Sequence, residues 1–256
     1  MTVSTVSIIL TVRKYLLLKK NILKKKLIIF DIDGTLLYSN KIDSQCFADT
    51  YEKVYQSKFP SIDWTKYPHV TDDTIFKTVI QDHFQREDTK EEIHHFQNEY
   101  VASLQLKRAE QPHEFKEVPN ARKIIEHLLG SDIYEVGIAT GGWRRPAMVK
   151  LNHVGIPTED LHMSFADGNP TRENIIEGVF QQTDAKKMSF EKIVYVGDAI
   201  WDVRTTRNMN LPFIGIRRTG DESFLKQFGA ETVIKDYEDI DLFMDSIERS
   251  KVPKEE

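Results

Sequence analysis

The chain has 256 residues, enough for one sizeable α/β core with a smaller second module, and its 40% apolar and 29% charged residues exclude a largely disordered polypeptide. A single cysteine, Cys46, excludes an internal disulfide and fits a reducing, cytoplasmic compartment, where it reads as a small buried apolar residue. The net charge of -5 is uneven: residues 1–26 hold seven basic side chains and no acid, and the remainder, with 28 basic against 40 acidic residues, argues against a general nucleic-acid binder.

In the basic leader, the apolar run from Val6 to Val12 is too short to span a bilayer, and Arg13 and Lys14 follow it rather than precede it. That order is the reverse of a secretory signal, so no integral membrane segment is expected. Residues 1–26 read first as a dispensable or artefactual extension, with the natural protein beginning near Leu23 or Lys24, and second as a membrane-surface helix.

Leu27 to Phe30 is an apolar strand that runs into Asp31-Ile32-Asp33-Gly34-Thr35. Alternate side chains of an extended chain share one side, so Asp31 and Asp33 bring two carboxylates to one small volume. Like charges that close call for a hard cation or a shared proton, hence for metal binding and acid/base chemistry. Residues 41–112 then lack a strand but repeat apolar residues at helical spacing: Phe47, Tyr51, Val54, Tyr55; Ile75, Val79, Ile80; Ile93, Phe96, Tyr100, Leu104. A helical module inserted there belongs over the carboxyl end of the sheet, where it can select substrates and exclude water. His83, His94 and His95, on that charged segment, read as surface or helix-face residues rather than metal ligands.

Beyond the insertion, helices are expected over Pro119–Leu129 and Pro146–Val154, each opening on proline and closing at a glycine. Strands are expected over Glu135–Ala139, His162–Phe165, Ile193–Val196, Phe213–Ile216 and Thr232–Ile234. Strands alternating with crossover helices make a parallel sheet covered by helices. The fold class is therefore α/β, a Rossmann-like three-layer core over 27–40 and 113–256 with an inserted α-helical cap over 41–112. Acidic residues from Asp236 to Asp245 read as a solvated face of the last helix.

Three later positions reach the same sheet edge as Asp31. Thr140-Gly141-Gly142 ends the second strand with a hydroxyl and glycine-exposed amides, groups that suit a phosphate oxygen. Asp198 and Asp202 follow the fourth strand: Asp198 completes an oxygen cage with Asp31 and the main-chain carbonyl of Asp33 for a magnesium ion, while Asp202 is an indirect ligand or a helix N-terminal acid. For the cation that holds a phosphoryl group, Arg172 at a helix start is preferred over Lys150, Lys186 and Lys187. Lys186 and Lys187 precede the fourth strand at its wrong end, and Lys150 sits on a helix leading away. Trp143-Arg144-Arg145 either contacts an anionic substrate or packs a hinge of the cap.

With these four motifs in order over residues 27 to 240, the chain resembles the haloacid dehalogenase superfamily, specifically its phosphatase branch. The resemblance implies that Asp31 is the nucleophile and Asp33 the general acid/base. It further implies that Thr140 binds phosphate, that Arg172 stands where most members have lysine, and that Asp198 binds magnesium. A helical insertion between the first two motifs is similar to phosphoglycolate phosphatase and β-phosphoglucomutase, in which a Thr-Asp pair of the cap approaches the active site; Thr71-Asp72 is the matching pair here. The expected activity is Mg²⁺-dependent hydrolysis of a small phosphorylated metabolite through an aspartyl phosphate, with a phosphomutase and a retired binding protein as rivals. Asp33 argues against carbon–halogen cleavage, which needs only the nucleophile. Neither the leaving group nor the oligomeric state follows from the sequence.

Overall fold

The structure is a computed structural model that describes residues 25–218 and 220–255, so the leader lies outside the described residues except for Lys25 and Lys26. Strand β1 (Lys25–Phe30) and the short β2 (Leu37–Tyr38) lead into helices α1 (Asn40–Tyr55), α2 (Asp72–Phe84) and α3 (Lys90–Glu110), and β3 (Lys116–Glu117) closes that excursion. The chain then alternates through α4 (Ala121–Leu129), β4 (Tyr134–Ala139), α5 (Arg144–Val154), β5 (His162–Ser164), α6 (Arg172–Ala185) and β6 (Phe190–Gly197). It finishes with α7 (Ile200–Asn208), β7 (Phe213–Ile216), α8 (Glu222–Gln227), β8 (Val233–Ile234) and α9 (Ile240–Arg249).

Six strands pair in parallel in the order β5-β4-β1-β6-β7-β8. All six were expected from the apolar runs, because strands covered on both faces have no polar side to show. Their side chains divide as the pleat requires. Ile28, Phe30, Val136, Ile138, Val194 and Val196 pack with Ile124 and Leu128 of α4, Leu151 of α5 and Phe243 of α9. Leu27, Ile29, Tyr195 and Phe213 face the other way, onto Ile175 and Val179 of α6 and Val203 of α7. Burying each such side chain stabilises the fold by about 1.5–3 kcal/mol before entropy. The three helices between β2 and β3 add their own apolar residues to this second cluster through Phe47, Phe76, Phe96 and Tyr100.

Strand β1 opens two residues before Leu27: Lys26 lies in register with Tyr134, and the Lys25 ammonium pairs with Glu135 at the amino end of the sheet, where long side chains reach water. Helix α4 starts at Ala121, not Pro119, because Asn120 takes a left-handed conformation with φ 63° and cannot join the helix. Helix α5 instead starts earlier, at Arg144, and tolerates Pro146 in its first turn, where amides have no helical acceptor. The antiparallel β2–β3 ribbon (Leu37 with Glu117, Tyr38 with Lys116) was not foreseen; it ties the chain where it leaves and re-enters the core. Two residues per strand carry no periodicity to read.

Cys46 is fully buried in α1, and burial pushes its thiol up to about 11. Of the final acidic stretch, Asp239 caps α9 by accepting the Leu242 amide at 2.9 Å, and its neighbours are exposed or half-buried. Among the described residues, no helix is long and apolar enough to cross a membrane.

Candidate active site

Strands β4, β1 and β6 are neighbours and parallel, so their carboxyl ends deliver Thr140, Asp31 and Asp198 to one edge. Gly34 makes the meeting possible. Its φ is 78°, and a Cβ there would lie 2.0 Å from Oδ2 of Asp198, so only glycine allows the first loop to close on that carboxylate. Asp31 is 3% exposed, and its Oδ1 has no hydrogen bond; the Arg172 Nη1 is 3.5 Å from it. Burial raises the Asp31 carboxyl above its ordinary 3.8, against the pull of Arg172 and with a further push from Asp33.

Arg172 opens α6, whose start is capped by the Thr171 side chain accepting from the Asn174 amide. The guanidinium is held in place: Nη1 donates to Asp202 Oδ1 at 2.9 Å and Nε to the Val70 carbonyl at 3.2 Å, with the Trp201 ring 5.8 Å away. Asp202 has both oxygens engaged, since its Oδ2 accepts the amides of Asp198 at 3.2 Å and Ala199 at 3.1 Å. It is thus a helix N-terminal acid that also anchors Arg172.

Carboxylate oxygens of Asp31, Asp198 and Asp202 lie within 4.8 Å of one another. Burial, with Asp202 and Asp31 adding to it, holds the Asp198 carboxyl well above its ordinary range. Burial likewise pushes Asp202 up to about 7, with Arg172 opposing and Asp31 adding. An all-oxygen donor set, one orphaned buried oxygen on Asp31 and mutual repulsion relieved by positive charge all fit a hard divalent cation such as Mg²⁺. Asp31 presents an unbonded Oδ1, and Asp198, whose Oδ2 accepts the Asn40 side-chain amide at 3.3 Å, stands beside it with Asp202 behind them.

Thr140 is buried, with its Oγ1 accepting the Gly142 amide at 3.3 Å, and it lies close enough to Asp31 to draw that carboxyl down. At Gly141 a Cβ would meet the Val70 carbonyl at 2.5 Å, a closeness that brings the insertion onto this loop. Two hydrogen bonds use it: Asp72 N–H donates to the Gly141 carbonyl at 2.7 Å, and Trp143 N–H donates to Asp72 Oδ2 at 2.8 Å. Thr71 caps α2 through the Thr74 amide and donates to the Pro170 carbonyl at 3.2 Å. Both residues therefore line the site, Asp72 clamping the Thr140 loop and Thr71 tying α2 to Pro170. Burial pushes Asp72 up to about 8, with Asp43 adding and the Trp143 amide opposing. Trp143 itself is fully buried against Phe47, Phe76 and Phe96, so its ring packs into the core and does not face the cavity; Arg144 lies over Phe165 and Arg145 bonds Asn98.

Lys150 corrects the expectation that it leads away from the site. Its helix does, but its side chain is 1% exposed and turns back, placing Nζ 2.8 and 2.6 Å from the two oxygens of Asp33 and 2.8 Å from Oδ1 of Asp43. Ser39 Oγ also donates to Asp33. Arg172 thus stands beside Asp31 and Lys150 beside Asp33, with Lys41 on the cavity wall and Arg217 donating to the Asp198 carbonyl at 3.1 Å. A signal was present in the sequence: Lys150 falls among Ala147, Leu151 and Val154, a lysine on the apolar face of an amphipathic helix. Lys186 and Lys187 are exposed, as expected. The histidines of the insertion form no cluster with one another: His83 bonds the Tyr51 hydroxyl at 2.8 Å, and His94 and His95 are exposed.

These groups open on a cavity of about 450 Å³, walled on one side by Asp31, Thr140, Arg172 and Asn40 and on the other by the insertion, including Ser44 and Trp64. That leaves room for a leaving group beyond the phosphoryl position.

The family model of the haloacid dehalogenase-like hydrolases matches residues 28–216. Over 224 residues the chain is 25% identical to glycerol-1-phosphate phosphohydrolase 2 of Saccharomyces cerevisiae, with 85% of each chain covered. Among solved structures, it is similar to a hydrolase from Pseudomonas syringae with a TM-score of 0.64 and 17% identity, over 88% of this chain and 99% of that one. A putative β-phosphoglucomutase from Bacteroides vulgatus gives a TM-score of 0.57 at 15% identity, over 89% and 92%. At such identities the two structures speak for the fold alone.

Proposed function

The chain belongs to the haloacid dehalogenase-like hydrolases, and from that footing we propose that it is a Mg²⁺-dependent phosphatase acting on a small polyol or sugar monophosphate. One observation carries the reading: the buried, unbonded Oδ1 of Asp31 stands beside Arg172 and Asp198, a bare carboxylate nucleophile flanked by positive charge and metal-type donors. Asp31 attacks phosphorus, the bond to the leaving oxygen breaks, and Asp33 gives that oxygen its proton. Asp33 then takes a proton from a water whose oxygen attacks phosphorus, the bond from Asp31 to phosphorus breaks, and inorganic phosphate leaves with Asp31 regenerated and Asp33 reprotonated. Arg172 and Thr140 hold the equatorial oxygens, and Asp72 keeps the Thr140 loop in place while Thr71 caps the helix that carries it. Asp31, Asp198 and the Asp33 main-chain carbonyl, with Asp202 behind them, would hold Mg²⁺, which when bound would supply charge stabilisation for the phosphoryl group.

Residues 41–112 act as the cap over a core of 27–40 and 113–256, hinged at the β2–β3 ribbon. The yeast relative's name points to a polyol monophosphate, and hydroxyl-bearing Ser44 and the amide of Asn40 on the cavity wall suit such a leaving group. The test is release of inorganic phosphate from a panel of glycerol phosphates, hexose phosphates, phosphoglycolate and p-nitrophenyl phosphate with Mg²⁺. Turnover of glycerol or hexose phosphates ahead of phosphoglycolate supports the reading. Isomerised sugar phosphate without phosphate release would make it a mutase, and no product from any member would end the proposal.

A further inference from the structure

Nothing in the packing of α5 needs a charge at position 150. The residue lies 1% exposed on a face shared with Ala147 and Leu151, where burying an ammonium costs several kcal/mol and a leucine or methionine costs none. What offsets the cost is specific: both oxygens of Asp33 at 2.8 and 2.6 Å, and Oδ1 of Asp43 at 2.8 Å. Those partners come from different places. Asp33 is in the loop after β1, Asp43 is in the first inserted helix, and the Tyr100 hydroxyl of α3 bonds Asp43 in turn.

We infer that Lys150 is a positioning residue: it fixes the Asp33 carboxyl in one orientation at the rim of the Asp31 pocket and, through Asp43, makes that orientation depend on the seating of α1. The inference rests on the phosphatase reading, in which Asp33 moves the protons. Lys150 keeps its own protons throughout. In the first step the proton travels from Asp33 to the departing oxygen as the phosphorus–oxygen bond breaks, so a misaligned Asp33 fails only where that proton is needed.

The leaving group provides the readout. An alkoxide leaves badly without a proton, whereas the weakly basic p-nitrophenolate leaves without one, and kcat/KM reports the step in which it departs. Wild type, Lys150→Met and Lys150→Arg are compared on p-nitrophenyl phosphate and on the best alkyl phosphate of the panel, with Mg²⁺ present. Lys150→Met should lower kcat/KM about 100-fold on the alkyl ester and less than about fivefold on the aryl ester, and Lys150→Arg should recover about tenfold of the former. Equal losses on both esters would overturn the inference and leave Lys150 a structural tether. Should Lys150→Met not fold by circular dichroism, the same ratio is read from Lys150→Arg, whose broader fork cannot reproduce the three ammonium contacts. A wild type inactive on both esters would instead defeat the phosphatase reading itself.

Discussion

Replacing Arg172 by lysine separates charge from shape. The guanidinium serves two fixed acceptors at once, Asp202 Oδ1 at 2.9 Å through Nη1 and the Val70 carbonyl at 3.2 Å through Nε, while lying 3.5 Å from Asp31. An ammonium keeps the charge and can satisfy one carboxylate, but it cannot span both carboxylates and reach Val70. One charge-assisted hydrogen bond is worth about 1.5–3 kcal/mol, which corresponds to about 10- to 150-fold in rate. Arg172→Lys should therefore lower kcat/KM on p-nitrophenyl phosphate by that factor. Arg172→Ala goes further, leaving Asp31 and Asp202 buried beside each other without their cation, and should cost about 3–5 kcal/mol in urea unfolding. A lysine variant within twofold of wild type, or an alanine variant equally stable, would refute the claim that the site is built around the fork.

Asp31→Asn should abolish turnover while leaving the fold intact, and chelation should do so reversibly, with activity returning on added Mg²⁺; residual activity in either case contradicts the mechanism. Trp143→Ala removes a fully buried ring from among Phe47, Phe76 and Phe96 and should destabilise the protein by about 3–5 kcal/mol, with KM for the phosphate ester rising because the Thr140 loop loses its pin. Asp72 is raised from 3.8 to about 8 in the folded protein, so the folded state holds its proton more tightly than the unfolded chain. Its contribution to stability is complete below the unfolded value and is lost as pH rises towards the folded one. Between about pH 5 and about pH 7, denaturation should show wild type losing about 1 kcal/mol per pH unit relative to Asp72→Asn, and parallel profiles would rule the shift out.

The apolar runs of the sheet and the Asp31-Ile32-Asp33-Gly34-Thr35 turn were legible because their causes are local: a strand buried on both faces must be apolar along its length, and alternate residues must share a side. Strand ends in a parallel sheet then converge by topology alone, which is why Thr140 and Asp198 could be assigned to the same edge as Asp31 from their positions after strands. Reach and competition for partners were not local. Lys150 is on a helix that departs from the site, and only the packing of α5 against α3, which in turn packs on α1, sends its ammonium back to Asp33 and Asp43. Asp202 reads from the sequence as an indirect metal ligand or a helix N-terminal acid, and only the structure shows the α7 amides and Arg172 using both of its oxygens. Asp72 likewise became a clamp on Gly141 and Trp143 through contacts about seventy residues apart in the chain. The sequence by itself determined which chemical groups the protein carries and on which edge of the sheet they emerge. Tertiary structure alone decided which of them remain free to act, because a buried polar group must find a partner and the fold determines who is near enough to be one.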